Sequence, residues 1–235
     1  MGLASGAEEQ GAHRTMLSVV FLGGDALPSQ LAWVKIDGSL EKDKPIKVSG
    51  SSILPAASYS GPPKLTLCDL ADEDVGRPLV KITLPSYRWT LVVVAPSSSS
   101  REKGLPYRAF CIDLSQTRMP AGAREVYNFT PYPIRCAIGK IPFRLSDKTN
   151  RYYQISSRQS KVIEDFGSLV EPRKGLQVYI EFRQPDGETW TRFKSSRWFH
   201  NTTKRKFLFV YCPKGDSTPQ LKIISQLVAP ESESK

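Results

Sequence analysis

The chain has 235 residues, with 33 Lys and Arg against 23 Asp and Glu, 2 His, and a formal charge of +10. Its 40% apolar and 10% aromatic residues are too many for a mostly disordered chain. No run approaches the roughly 18 apolar residues of a membrane-spanning helix, and two His with four scattered Cys do not offer the usual zinc spacings.

Residues 1–13 are small, polar and acidic and read as a disordered leader that lacks the cationic start of a signal peptide. The apolar run Met16-Leu17-Ser18-Val19-Val20-Phe21-Leu22 predicts the first strand. Turn chemistry follows at Asp37-Gly38 and at Gly61-Pro62-Pro63. Apolar and polar residues alternate in Lys64-Leu65-Thr66-Leu67 and Lys81-Ile82-Thr83-Leu84, the period of half-buried strands. Residues 87–96 form a buried strand that Pro96 ends; a polar loop and a further strand, 107–114, come after it. A strand at 124–131 opens the second half. Gln177-Val178-Tyr179-Ile180-Glu181-Phe182 and Trp190-Thr191-Arg192-Phe193 flank Pro185-Asp186-Gly187 and predict a hairpin. The last strands fall at 204–213 and 221–228. Helix is limited to short turns near 70–75 or 163–169, and residues 231–235 read as a solvated tail.

Two stretches are alike. Residues 87–96 and 204–213 each lead with a basic residue and an aromatic into a buried strand that ends at Pro. Each is followed by a polar loop and another strand, and the opening strands near Leu17 and Arg124 form a second matched pair. The pattern predicts an all-β protein of two tandem, similar antiparallel β-sandwich domains of immunoglobulin-like type, at 14–118 and 124–230, with about seven strands each. Residues 119–123 are a joint short enough to fix the angle between the two. The rival arrangement is one larger sheet with two similar buried hairpins. Charge divides unequally: residues 1–120 have a net of +1 and residues 121–235 a net of +9.

Cys68, Cys111, Cys136 and Cys212 contain no C-x-x-C pair; they read as small buried hydrophobes, with one or two disulfides in an oxidising compartment as the alternative. No nucleophile elbow, metalloprotease helix, phosphate loop or dinucleotide fingerprint is present. His13 falls in the leader and His200 at a strand end. The acidic run at 69–74 lacks the glycine and spaced ligands of a calcium loop. Asn128-Phe129-Thr130 and Asn201-Thr202-Thr203 read as turn chemistry. No catalytic residue, metal site or cofactor is expected.

The basic aromatic segment offers the one candidate site: Trp190, Arg192, Lys194, Arg197 and Trp198, followed by Lys204, Arg205 and Lys206. Strand alternation predicts Trp190, Arg192, Lys194 and Trp198 on one face, and Phe193, Arg197 and Phe199 on the other. Cations beside flat rings suit acidic glycans or single-stranded nucleic acid; ordinary packing of Arg and Lys stems over rings is the competing explanation.

The phrase Glu125-Val126-Tyr127-Asn128-Phe129-Thr130-Pro131-Tyr132-Pro133-Ile134, with Ser195-Ser196-Arg197-Trp198 and Lys206-Phe207-Leu208-Phe209-Val210-Tyr211, resembles the second half of a set of uncharacterised, β-rich exported bacterial proteins. The resemblance implies two β halves and an exported location, in the periplasm or cell envelope, and brings no activity, cofactor or catalytic residue. The leader departs from that pattern, so a cytoplasmic location is the alternative. The expected function is a non-enzymatic envelope or surface module, structural or adhesive, with protein partners allowed; the alternative is a polyanion-binding module using the basic aromatic face.

Overall fold

The computed structural model describes residues 13–23, 28–35, 37–70, 76–96, 105–140, 143, 146, 148, 150–163, 175–213 and 216–228. The expected helical turns, most of the leader, the acidic run beyond residue 70 and the tail lie outside these residues. Every regular element within them is a strand. The first half holds β1 (His13–Phe21), β2 (Gln30–Trp33), β3 (Ile46–Ser49), β4 (Ala57–Gly61), β5 (Lys64–Asp69), β6 (Arg77–Thr83), β7 (Trp89–Pro96) and β8 (Tyr107–Asp113). The second holds β9 (Arg124–Asn128), β10 (Ile134–Gly139), β11 (Arg151–Ile155), β12 (Ser160–Ile163), β13 (Leu176–Phe182), β14 (Thr191–Trp198), β15 (Lys204–Tyr211) and β16 (Gln220–Leu227). His13 therefore opens β1, opposite Gly61, and is not part of a leader.

One set of pairings occurs in each half. β1 runs parallel to β7 and antiparallel to β4, as β9 runs parallel to β15 and antiparallel to β12. The β7/β8 hairpin matches β15/β16, and the β3-β2-β5-β6 series matches β11-β10-β13-β14. The closing bonds match as well: Leu22 N–H donates to Val94 O at 2.7 Å, and Phe129 N–H to Val210 O at 2.7 Å. The halves differ in one connection. In the first, β1 also pairs with β3 through Val19↔Val48 and Val20↔Ser49, so its strands form a single eight-stranded sheet. That sheet curls until Cys111 Sγ, on β8, meets Thr83 O, on β6, at 3.8 Å. In the second half the strands remain two four-stranded sheets, β11-β10-β13-β14 and β12-β9-β15-β16.

Strand alternation separates three apolar clusters. Leu17, Val19 and Phe21 of β1 face a core with Leu31, Leu67, Val80 and Val92. Leu208 and Val210 of β15 face a second core with Ile134, Cys136, Val178, Ile180 and Trp198. The opposite faces of β1, β7 and β15 meet each other: Val20, Leu22, Leu91 and Val93 pack with Tyr127, Phe207, Phe209 and Ile224. This third cluster is a seam between the halves, and its rings stack, with Phe110 on Phe129 at 4.4 Å and Tyr127 on Phe209 at 5.3 Å. β7 and β15 are apolar on both faces because each separates two cores.

The short joint is held in place. Met119 is fully buried in the seam. Arg205, on the seam face of β15 with Phe207 and Phe209, donates from Nη1 to Ser115 O (3.0 Å) and Met119 O (2.8 Å), from Nη2 to Leu114 O, and from Nε to Gln226 Oε1 (2.7 Å). Arg118 Nη2 donates to the buried Glu125 carboxylate and to Tyr127 Oη, and Ser160 Oγ donates to the same carboxylate at 2.8 Å. Lys222 Nζ reaches across to Phe21 O at 2.6 Å. All four cysteines are free, and Cys68 and Cys136 are buried.

Candidate binding face

The outward face of β11-β10-β13-β14 carries the charge. On β13, Val178, Ile180 and Phe182 point into the core, so Gln177, Tyr179 and Glu181 point out. The hairpin at Pro185-Asp186-Gly187 then returns the chain as β14, beside Glu181 and Tyr179. Register places Arg135 of β10 opposite Glu181, and its guanidinium donates from Nε (2.8 Å) and Nη2 (2.6 Å) to Glu181 Oε2. Arg192 Nη2 lies 3.6 Å from the other oxygen, Oε1. One carboxylate thus holds two arginines.

Aromatic rings supply the rest of the surface. Arg192 sits 3.6 Å above the Tyr179 ring, and Arg135 lies 4.6 Å from Trp190 and 5.4 Å from Tyr152. Arg183 covers Trp190 at 5.4 Å. Tyr152 is 44% exposed, enough to present a ring to a ligand. Arg197, opposite Gln177, continues the face along β14. A guanidinium stacked on a ring keeps its in-plane N–H groups available to a sulfate, phosphate or carboxylate; in Arg135 and Arg192 some of them are already engaged by Glu181.

Of the eight residues singled out in the sequence, Trp190 and Arg192 lie around the Arg135–Glu181 pair, and Arg197 lies farther along the same face. The alternation assigned to β14 is wrong on two counts. The register shifts between Ile180 and Glu181, so Phe193 is an extra residue on β14 and the faces exchange there. Arg197 therefore shares the outward face with Arg192, and Lys194 instead lies opposite the inward-facing Ile180. Trp198 is no surface indole: it is 4% exposed in the second core, with the buried Arg124 guanidinium 5.2 Å from its ring. Arg124 donates to Phe199 O at 2.6 Å, and burial pushes it down to about 10.

Lys204, Arg205 and Lys206 belong to a different sheet, on β15. Arg205 is 2% exposed and is bound to the joint, so it is not a ligand-binding cation. Lys206 is half-buried beside Arg124, and burial followed by the Arg124 and Lys204 charges pushes its ammonium down. Lys204 is exposed and lines a cavity of about 560 Å³ with Met16, Trp89, Leu114 and Leu227 at one end of the seam. The sequence reading missed Arg135, Tyr152, Tyr179 and Arg183. The alternation of residues 177–182 assigns Tyr179 and Glu181 to the polar face, but only the β10/β13 register brings Arg135 to them.

The turn reading of Asn128 and Asn201 holds in geometry. Asn128 Oδ1 accepts from Thr130 N–H (3.0 Å) and Thr130 Oγ1 (2.7 Å), and Asn201 Oδ1 accepts from Thr203 in the same way at 2.9 Å. No group of three or more His, Cys, Asp or Glu side chains among the described residues is placed to hold a metal ion. No described helix is long and apolar enough to cross a membrane.

No family model matches the sequence, and no curated protein is similar to it. Among solved structures, the cytotoxin suilysin from Streptococcus suis is similar over 76% of this chain and 32% of its own, with 11% identity and a TM-score of 0.30.

Proposed function

We propose that the protein is a non-enzymatic binding module for acidic polymers, built from two tandem immunoglobulin-like β-sandwich units and acting outside the cytoplasm, at the cell envelope or surface. The twice-occurring set of strand pairings supports the tandem reading, with units near 14–118 and 124–230. The observation that carries the function is the outward face of β11-β10-β13-β14: Arg135 and Arg192 meet at the Glu181 carboxylate among Tyr152, Tyr179 and Trp190, Arg183 lies over Trp190, and Arg197 extends the same face opposite Gln177. That carboxylate, Glu181, is bound by two arginines and serves as a positioning group. The ligand class is an acidic glycan, whose sulfate or carboxylate groups meet the guanidinium edges while a sugar ring lies on the exposed Tyr152 ring. The buried joint gives the face a fixed place relative to the other half, as a structural or adhesive surface requires.

The test is binding of the full chain to heparin, single-stranded DNA and a neutral dextran across a salt series. The variant Arg183→Gln/Arg197→Gln leaves the Arg135–Glu181–Arg192 bridge intact. Heparin binding is expected to fall steeply with salt, dextran not to bind, and the variant to lower the slope of log K against log salt by about 2. An unchanged slope and affinity in the variant would refute the assignment, and tighter binding to DNA than to heparin would transfer it to nucleic acid.

A further inference from the structure

We propose that the cavity at one end of the seam binds a small amphipathic anion, an alkyl chain ending in a carboxylate. The site is separate from the outward face of the second half and does not depend on it. Its floor is the seam face of the first half, continued beyond its packed part. Val20 and Leu22 of β1, with Leu91 and Val93 of β7, pack with Phe207 and Phe209 of β15. Earlier on the same side of β1 come Ser18 and Met16, and Met16 pairs in register with Trp89 at the start of β7. There the cover ends: Trp89 is 45% exposed, the one exposed tryptophan of the chain. Two walls stand beside this floor. Residues 52–56 form one, and it is fastened on both sides: Ser18 Oγ donates to Leu54 O at 3.1 Å, and Ser52 forms an isolated parallel bridge with Ser225 of β16. The other wall is the end of the β15/β16 hairpin, where Lys204 stands opposite Leu227. Partners in register share a face of the sheet, so the ammonium and the leucine are neighbours at the rim. Leu227 is 73% exposed, the most exposed large apolar residue among those described.

The lining selects the ligand. The volume, about 560 Å³, falls in the range of roughly 300–1,000 Å³ that holds small organic molecules. Lys204 is the one charged residue on its walls, and no carboxylate lines it. Lys204 also takes no part in the ion pairs among the described residues. Gln226, another lining residue, accepts from Arg205 Nε through Oε1 at 2.7 Å, which leaves its amide nitrogen as the group it offers a ligand. One ammonium and one amide match a single carboxylate; a phosphate or sulfate site favours the fork of an arginine. Around them the lining is mainly aliphatic, with Met16, Ile53, Leu54 and Leu114. These side chains fit a flexible alkyl chain better than a rigid plate. Because its walls are already bonded in place, the cleft needs little ordering when the ligand arrives. A second copy of the chain would need a face of roughly 800 Å², whereas the large apolar residues exposed here are Trp89 and Leu227.

The experiment is titration of the full chain with hexanoate, octanoate and decanoate at fixed ionic strength, followed by calorimetry and tryptophan emission. Octanol and octyltrimethylammonium are the uncharged and cationic controls. Affinity is expected to rise about tenfold for each two methylenes added, and the emission to shift to the blue as the chain covers Trp89. Trp89→Phe is expected to lose that shift and keep the calorimetric signal. Lys204→Gln should weaken octanoate about tenfold and leave octanol unchanged. Leu227→Glu, at an exposed position that folding does not depend on, should abolish octanoate binding, and Arg183→Gln/Arg197→Gln should keep it. Equal affinity for octanoate and octanol, no dependence on chain length, or full octanoate binding in Leu227→Glu would overturn the proposal. A dimer in sedimentation that Leu227→Glu dissociates would overturn it in favour of a second copy of the chain.

Discussion

Arg205 offers the sharpest test of how the halves are joined. Arg205→Met keeps an apolar stem against the seam but deletes four hydrogen bonds, three of them to the carbonyls of Leu114, Ser115 and Met119. Leu114 and Met119 are buried, so their carbonyls lose a donor that water does not readily replace, at about 1–3 kcal/mol each. Ser115 is partly exposed and rehydrates. Against this, a buried guanidinium carries a desolvation penalty that the variant no longer bears. The net loss is about 3 kcal/mol, near the low end for breaking a buried charged network. In a chain of this length it lowers Tm by roughly 6–12 °C. Calorimetry and urea unfolding of the full chain measure it. The wild type should unfold in one transition, because the third cluster couples the halves, whereas the variant should show a calorimetric enthalpy above its van't Hoff enthalpy. A loss below about 1 kcal/mol, or a single unchanged transition, would refute the view that Arg205 fastens the joint.

Two further predictions concern the second half. Gly175 has φ 66°, and a Cβ there would lie 2.8 Å from Trp198 O, so Gly175→Ala should cost about 2 kcal/mol in urea unfolding. Burial pushes the Cys136 thiol up to about 12 from an ordinary value of 9.0, with a smaller opposing pull from the Arg124 charge. Above pH 9 the unfolded chain therefore releases a proton that the folded chain keeps, and stability present below pH 9 is lost as pH rises. Between pH 9 and 10 this amounts to about 1 kcal/mol. Above pH 10 Arg124 acts in the opposite direction, so pH 9–10 is the window to compare. Cys136→Ala should flatten the slope there by that amount, and an unchanged slope would refute the assignment.

The strands were legible because their cores impose period 2 or continuous apolarity. Residues 87–96 and 204–213 are alike because β7 and β15 occupy matching places, each parallel to the opening strand of its half and each apolar on both sides. Among the described residues each half has eight strands against the seven or so expected, since β3, β4, β11 and β12 are only four or five residues long and carry weak alternation. The bulge at Phe193 left no mark in the sequence, because no Gly or Pro interrupts the strand, and a single inserted residue reverses every later side chain. Arg205 did leave a mark. It shares parity with Phe207 and Phe209, so an arginine in phase with two phenyl rings was already on an apolar face. Register is the part that no local pattern contains, which is why Arg135 went unnoticed beside Glu181.

The charge of a segment is not the charge of a surface, and the second half shows the difference. Its net of +9 pointed to a polyanion before any strand was paired. Two of those cations, Arg124 and Arg205, are 2% exposed and bound to carbonyls, so neither reaches a ligand. Arg135 and Arg192 share one carboxylate, so that trio presents a net charge near one. On the proposed function, what an acidic polymer would meet is the remainder of the face: Arg183 over Trp190 and Arg197 opposite Gln177. Binding by such a face depends on the geometry of a few paired donors more than on total charge. Replacing lysines elsewhere in the second half should therefore shift the salt dependence of heparin binding far less than replacing those two arginines.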